Sequence, residues 1–449
     1  MNILLVRPCP DRRSINLQSF MICEPLELEY AAAHLLSLGH TVTLIDMILE
    51  KKGLPYFLKQ EAYDMVCFTA YINHVQIVKK YAAIVRKYLP RAVTVVGGVH
   101  AEVVPEDFAD SSIDYIVRAN GMETLGELAG GLSKTECYAL SGVYQANKPK
   151  PKATHLEQLF PDREITARYR GSYNYMYHDK CATLKTSYGC GYSCNFCFCT
   201  QICDYAVRDL DSVMDEMMTI KEENVFIVDD NFLSNAKRIR QFCEKLDERH
   251  ISKKYIAFGR ADFITENPEI ITLLASHGFE ALFVGLESFK ADDLHDLNKK
   301  TSVEQNINAV RVLERAGIQC YSGLIVSKDW RKSDFEALIE HLNSFEHPMV
   351  NTQPLTPMPG TPLYSDYPGD ITLPRTRSER WDMAHLAFRP LYLSPRAYYY
   401  HILRAYFKTS ASAKQRKYIK KQYGTTVYKR VRRGAAKITR QYIRLMIRP

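Results

Sequence analysis

Five cysteines fall within fourteen residues of this chain: Cys190, Cys194, Cys197, Cys199 and Cys203. The first three stand in Thr186-Ser187-Tyr188-Gly189-Cys190-Gly191-Tyr192-Ser193-Cys194-Asn195-Phe196-Cys197, a Cys-x3-Cys-x2-Cys spacing with an aromatic residue, Phe196, before the last thiol. Three thiolates on one loop can each hold one iron of a [4Fe–4S] cluster, leaving the fourth iron open to a non-protein ligand. Tetrahedral zinc is the alternative, with Cys199 or Cys203 as fourth ligand. Structural zinc usually draws on two Cys or Cys/His pairs far apart in sequence, which this cluster does not supply. Met1–Pro8 runs straight into a strand-like segment with no signal-peptide layout, so the twelve cysteines suggest metal or redox roles rather than disulfides. Most of the seven scattered ones read as small core residues. Cys199 and Cys203 read as structural, being too few to hold an auxiliary cluster.

The loop follows the first of six strand-like segments, at about 182–187, 225–228, 255–259, 281–285, 319–325 and 350–354. Helical patterns at 208–221, 235–249, 267–277, 303–316 and 331–344 alternate with them. Six such units predict an open barrel of the TIM type, with function at the carboxyl ends of the strands. Upstream, short apolar strands at 3–7, 42–45, 64–68, 93–96 and 114–117 alternate with helices at 25–38, 73–88 and 122–131. That pattern predicts an open, doubly wound sheet whose ligand lies beyond the strand ends. Those ends carry Thr69-Ala70-Tyr71, Gly97-Gly98-Val99-His100 and Arg118-Ala119-Asn120-Gly121. Paired glycines let backbone approach a ligand closely, although a tight strand-to-helix turn also uses them. Lys148-Pro149-Lys150-Pro151-Lys152 reads as an exposed linker.

The fold class expected is therefore α/β: a Rossmann-like (flavodoxin-like) sheet over 1–131, a linker over 132–180, an open (β/α)6 barrel over 181–372, and a helical C-terminal region over 373–449. The 449-residue length accommodates these parts.

The cysteine loop and its place after a barrel's first strand resemble the radical S-adenosylmethionine (SAM) signature. The segments PLELEYAAAHLLSLGHTVTLID, VVGGVHAEVVPE and DYIVRANGMETLGELA resemble the N-terminal domain of cobalamin-dependent radical SAM enzymes, and the likeness runs over about residues 1–370. The resemblance implies a [4Fe–4S] cluster on Cys190, Cys194 and Cys197, with SAM chelating the open iron. One electron then cleaves the sulfonium to give a 5′-deoxyadenosyl radical. By the same resemblance, SAM contacts come from Phe196, Asp229, Asp230, Arg260, Glu287 and Ser288, and cobalamin contacts from Thr69, Gly97, Gly98, His100 and Gly121. Alone, two acids after a strand are more often a helix N-cap. The chain departs from the relatives in having Ala119-Asn120-Gly121-Met122 where they carry Gly-Glu-Gly-Glu. It also has no histidine in residues 8–33, so that loop offers no imidazole to cobalt.

The activity implied is methylation of a carbon centre, using one SAM to methylate cobalt and a second to make the radical. Radical cyclisation, ring formation or oxidation is the enzymatic alternative, and a non-catalytic iron–sulfur or zinc protein is the other. The resemblance further implies a small-molecule substrate and an electron donor such as flavodoxin or ferredoxin; a lipid-linked substrate would fit a basic tail placed on a membrane, and the absence of a signal-peptide layout leads to the expectation of a cytoplasmic setting. No nucleic-acid-binding fold is present.

The net charge of +8 is unevenly placed. Residues 408–449 hold 14 Lys and Arg and no acid, on an otherwise mildly acidic chain. Tyr423, Val427, Val431, Ala435, Ile438, Tyr442 and Leu445 recur at helical spacing with cations between them. This basic amphipathic helix has three candidate partners: an anionic membrane surface on the inner face, nucleic acid, or the acidic body of its own chain. The aromatic-rich stretch 378–407 is expected to be helical and to cap the barrel's open end.

Overall fold

The computed structural model describes residues 1–153 and 159–447. Its first unit is a five-stranded parallel sheet of Asn2–Arg7, Thr41–Asp46, Met65–Thr69, Val93–Gly97 and Tyr115–Ile116, with spatial order 2-1-3-4-5. This is the flavodoxin-like order, with its switch point between the first and third strands. The strands read as continuous apolar runs because helices cover both faces. Ile3, Leu4, Leu5 and Val6 are all fully buried. Ile3 and Leu5 pack with Leu28, Ala32 and Leu35 of helix Leu26–Ser37 on one face. Leu4 and Val6 pack with Val78, Ala82 and Val85 of helix Val75–Tyr88 on the other.

The second unit is a six-stranded parallel sheet of Cys181–Leu184, Asn224–Ile227, Lys254–Gly259, Phe279–Glu287, Gln319–Val326 and Met349–Pro354, paired in sequence order. Its two end strands do not pair with each other, so the barrel is open. The first barrel strand is shorter than the expected 182–187 and ends at Leu184. Ser187-Tyr188 turns away to make a two-residue antiparallel pair with Ala206-Val207. Asp229 drives that turn, since its carboxylate accepts from the Thr186 N–H and hydroxyl and from the Ser187 hydroxyl.

The segment between the units is more ordered than a plain linker. It carries the capped helix Lys134–Ala139 and buries Arg163, Tyr169 and Tyr173. Arg163 ties the units together: it donates to Glu24 at 2.5 Å, to the Thr183 carbonyl at 2.7 Å and to Glu216 at 2.9 Å. Arg208 joins the same buried group at 2.6 Å from Glu216, and Tyr30 donates to Glu216 at 2.9 Å.

The aromatic stretch 378–407 begins in the end of a 3-10 helix, Arg375–Arg380, and is α-helical only from Pro395, which opens helix Pro395–Lys408. Pro390 and Pro395 bracket a bend there, and proline removes the backbone donors that a continuous helix needs. Tyr398 from this helix donates to the Val326 carbonyl at 2.6 Å, which places it at the carboxyl end of the fifth barrel strand. The basic tail forms helix Ala413–Ile447, kinked at Gly424. Its apolar stripe docks on its own chain. Val431 and Tyr442 are buried, Tyr442 stacks edge-on against Tyr399, and Arg430 pairs with Asp179 and donates to the Met176 carbonyl. Of the three candidate partners, the chain's own body takes the stripe.

Candidate cofactor sites at the facing strand ends

The cysteine loop is held from several sides. Asn195 donates its side-chain amide to the Asp296 carbonyl at 2.6 Å, Asn298 donates to the Ser193 carbonyl at 2.8 Å, and the Leu363 N–H donates to the Asn195 carbonyl at 2.9 Å. Gly189, with φ +63, permits the turn; a Cβ there would press on the Asp204 and Cys203 carbonyls. Phe196 packs with Leu297, Leu355, Leu363 and Phe388, a greasy anchor immediately before the last thiol.

Cys190, Cys194 and Cys197 are all partly exposed and unpaired. The Cys197 thiol is drawn down to about 7, chiefly through hydrogen bonding with Cys199. A thiolate is the form that binds metal. Burial pushes the Cys190 thiol up instead. Among the described residues, no three of His, Cys, Asp and Glu converge as the ligands of a single ion would. A four-iron cluster takes each thiolate on a different iron, so three separated thiols on one loop suit it.

The Arg260 guanidinium, from the end of the third barrel strand, points at this loop. It lies 3.8 Å from Cys194 Sγ and 3.7 Å from the centre of the Tyr192 ring, and is fixed by Asp262 at 2.8 Å and the Lys299 carbonyl at 2.8 Å. A buried cation beside the thiolates offsets negative charge gathered there. Asp230, after the second strand, is partly exposed and accepts from Cys199 at 3.3 Å. Glu287, ending the fourth strand, is a non-glycine residue at φ +57 and pairs with Lys299 at 2.9 Å. Such a conformation costs roughly 1–3 kcal/mol and is held only where surroundings impose it. Gly285 makes room, since a Cβ there would meet Lys299 Nζ at 2.9 Å.

The structure thus brings Cys190, Cys194, Cys197, Asp230, Arg260 and Glu287 to one end of the barrel. It spends two other candidates on scaffolding: Asp229 holds the strand-end turn, and the Ser288 hydroxyl donates to Asp293 at 2.6 Å. Tyr192 and Lys299 were not singled out by spacing. A basic residue near an acidic strand end is too common a pattern to have found Lys299.

In the first unit, Thr69, Gly97 and Gly98 meet at the carboxyl ends of neighbouring strands. Gly98 sits at φ +92, where a Cβ would come within 2.7 Å of the Ala70 nitrogen and Thr69 Oγ1. Gly121, opening helix Gly121–Ala129, has nothing within 4 Å of a Cβ and leaves open space at the helix N-terminus. His100 is buried, 2.9 Å from Asp107 and edge-on to Phe108, so its ring is committed within the unit.

The two sets of strand ends face each other. Lys150, from the segment between the units, contacts Glu102 at 3.2 Å, the Gln201 carbonyl at 2.9 Å and the Ile202 carbonyl at 3.1 Å. Glu102 belongs to helix Val99–Val103, just after Gly98; Gln201 and Ile202 belong to helix Cys199–Ile202, just after the cysteine loop. All three donors of one ammonium therefore bridge the two loops. Gly360 of the 354–364 loop closes on Val103 with no room for a Cβ. Tyr71, just past the end of the third strand of the first unit, is 51% exposed.

Comparison with known proteins agrees with this geometry. The B12 binding domain family matches residues 13–129, and the Radical SAM superfamily matches residues 184–342. The chain is similar to hopanoid C-3 methylase of Methylococcus capsulatus, 28% identical over 86% of this chain and 76% of that protein. It is similar to bacteriochlorophyllide d C-12(1)-methyltransferase of Chlorobaculum tepidum, 24% identical over 86% of this chain and 82% of that one. It is also similar to anaerobic magnesium-protoporphyrin IX monomethyl ester cyclase of Cereibacter sphaeroides, 24% identical over 73% of this chain and 57% of the cyclase. Among solved structures, the cobalamin-dependent radical enzyme OxsB with aqua-cobalamin and SAM bound superposes with a TM-score of 0.69, at 17% identity, over 98% of this chain and 72% of OxsB. The methyltransferase TsrM of Kitasatospora setae, with cobalamin and a [4Fe–4S] cluster bound, gives 0.63 at 17% identity, over 83% of this chain and 76% of TsrM. With a B12-binding unit joined to a radical SAM barrel, this chain belongs to the cobalamin-binding-domain radical SAM enzymes.

Proposed function

We propose that the protein is a cobalamin-dependent radical SAM methyltransferase acting on a carbon centre of a small or lipid-linked molecule. The observation that carries this is the facing pair of strand ends, bridged by Lys150, with the cysteine loop on one side and the Gly97-Gly98 loop on the other. Methyl carrier and radical source serve one substrate only if both open on the same space. The methylase and methyltransferase relatives cover 86% of the chain and support the same reading.

When bound, the [4Fe–4S] cluster with SAM supplies a carbon radical and cobalamin supplies the methyl group. Cys190, Cys194 and Cys197 would hold the cluster. Arg260 keeps a positive charge against Cys194 and is itself locked by Asp262, so the loop's electrostatics are set before any ligand arrives. Asp230 and the Glu287–Lys299 pair would receive polar groups of SAM. Thr69, Gly97 and Gly98 would offer strand-end backbone to cobalamin, and Gly121 the open space beside its helix N-terminus. Phe196, Leu355 and Phe388 close the floor of the barrel's end against water. The electron comes from a small redox protein such as flavodoxin or ferredoxin.

The test is anaerobic reconstitution with iron, sulfide and SAM under a chemical reductant, measuring 5′-deoxyadenosine. Cys194→Ala is expected to abolish its formation, and Cys199→Ala to retain at least about a third of it. Formation of 5′-deoxyadenosine by Cys194→Ala at the wild-type rate would remove the cluster assignment. The relatives that are cyclases motivate a second reading, radical ring formation without methyl transfer.

A further inference from the structure

Docking of the tail's apolar stripe leaves a different face of helix Ala413–Ile447 outermost. Arg433, Lys437, Arg440, Ile443, Arg444 and Ile447 recur at three- and four-residue steps and all are exposed. None of these four cations is within ion-pair distance of an acid among the described residues, and residues 408–449 contain none. Ile443 is 44% exposed and Ile447 64%. Near this end of the helix, Arg396 donates to the Met446 carbonyl at 2.9 Å, which brings up the start of helix Pro395–Lys408 and the bend before it. That bend exposes Leu391 (60%) and Tyr392 (54%). The bend in turn touches the barrel's active end: the Leu391 N–H donates to the Lys328 carbonyl at 2.9 Å, just past the fifth strand. Beneath it is a small, largely apolar cavity lined by Lys328, Pro354, Leu355, Leu386, Phe388 and Pro390.

We propose that this corner, formed by the outer face of the last helix and the Leu391-Tyr392 bend, docks on an anionic bilayer and presents the carboxyl end of the barrel to it. Aliphatic side chains interleaved with cations, and tyrosine beside them, form the composition of a surface that rests at the headgroup level. Unpaired Lys and Arg near such a surface attract anionic lipid. Nucleic acid would use the cations and stack on Tyr392, but gives Leu391, Ile443 and Ile447 no partner. The inference rests on the lipid-linked branch of the substrate reading above, yet its test needs no cofactor and stands or falls apart from the chemistry.

The experiment is co-sedimentation of the full chain with phosphatidylglycerol vesicles, with phosphatidylcholine vesicles, and with a single-stranded oligonucleotide, at low and high salt. The protein is expected to pellet with phosphatidylglycerol, to stay in solution with phosphatidylcholine, and to be released by high salt, because screening removes the attraction. Arg440→Glu with Arg444→Glu is expected to weaken the partition about tenfold or more. Leu391→Ser with Ile443→Ser and Ile447→Ser is expected to weaken it at unchanged salt dependence. All five side chains are exposed, and circular dichroism on each variant checks that the helices persist. Equal partition of the wild type between the two vesicle types overturns the proposal, as does oligonucleotide binding without vesicle binding. Insensitivity to both sets of substitutions, with the helices intact, overturns it as well.

Discussion

Lys150 is the residue whose removal best separates architecture from chemistry. Its ammonium satisfies Glu102 and the last carbonyls of helix Cys199–Ile202, where a cation is favoured by the helix dipole. Burial pushes the Glu102 carboxyl above its ordinary value, and Lys150 is the chief group opposing that. Lys150→Met keeps the aliphatic stem and deletes the charge. It should lower stability by about 1–3 kcal/mol, the cost of leaving a mostly buried polar group without its partner, as read by thermal denaturation. It should also weaken cobalamin retention on gel filtration, because the loop after Gly98 loses its brace. Unchanged retention would show that the bridge is passive. At this scale the clustering of Cys190, Cys194 and Cys197 on one loop was legible because their spacing alone puts the three thiols together. Lys150 was read only as part of a charged, proline-rich linker; its role depends on carbonyls about fifty residues away, which no local pattern announces.

Among the elements, the strand-to-helix turn at Gly97-Gly98 answers a demand of the fold itself and is also the proposed cobalamin contact. Gly98 stands at φ +92 with the Ala70 backbone and Thr69 Oγ1 where a Cβ would go. Gly98→Ala is expected to destabilise the first unit by roughly 1–3 kcal/mol, combining backbone strain with overpacking, and to reduce cobalamin uptake measured by absorbance after reconstitution. Wild-type uptake in a folded Gly98→Ala protein would place the cofactor away from this turn. Parallel strands were legible because burial on both faces makes them continuous apolar runs. The early end of the first barrel strand was not, since nothing within residues 182–187 marks it and it is Asp229, just past the next strand, that draws Thr186 and Ser187 out of line. The 378–407 stretch misled in the opposite direction, because aromatic density imitates a helix while the prolines that bend it carry no periodicity.

Across the whole molecule, the buried group around Arg163 joins both units. Glu24, Glu29 and Glu216 surround Arg163 and Arg208, and all are nearly inaccessible. Three carboxylates share two guanidinium groups, and burial with Glu24 nearby pushes the Glu29 carboxyl well above its ordinary 4.5. A carboxyl raised in the folded state binds its proton more tightly there than in the unfolded chain. Its contribution is complete below 4.5 and is lost as pH rises through the raised folded value. Glu29→Gln imitates the protonated form, so urea denaturation from pH 5 to 9 should show a shallower loss of stability for the variant than for the wild type. Parallel pH profiles would mean that Glu29 is ionised in the native protein. Arg163 should tolerate replacement far less well: Arg163→Ala leaves buried carboxylates unpaired and is expected to cost about 3–5 kcal/mol.

The central claim, methyl transfer from a shared space between the two units, is tested most directly by following the methyl group. The protein loaded with cluster and cobalamin is incubated anaerobically with trideuteromethyl-SAM, a reductant and a bacterial lipid extract, and the products are read by mass spectrometry. The account predicts a lipid-derived product that gains the intact trideuteromethyl group, with 5′-deoxyadenosine and S-adenosylhomocysteine formed in equal amounts and no product when cobalamin is omitted. Formation of 5′-deoxyadenosine with a substrate that loses hydrogen and gains no label would contradict it and establish ring formation or oxidation instead.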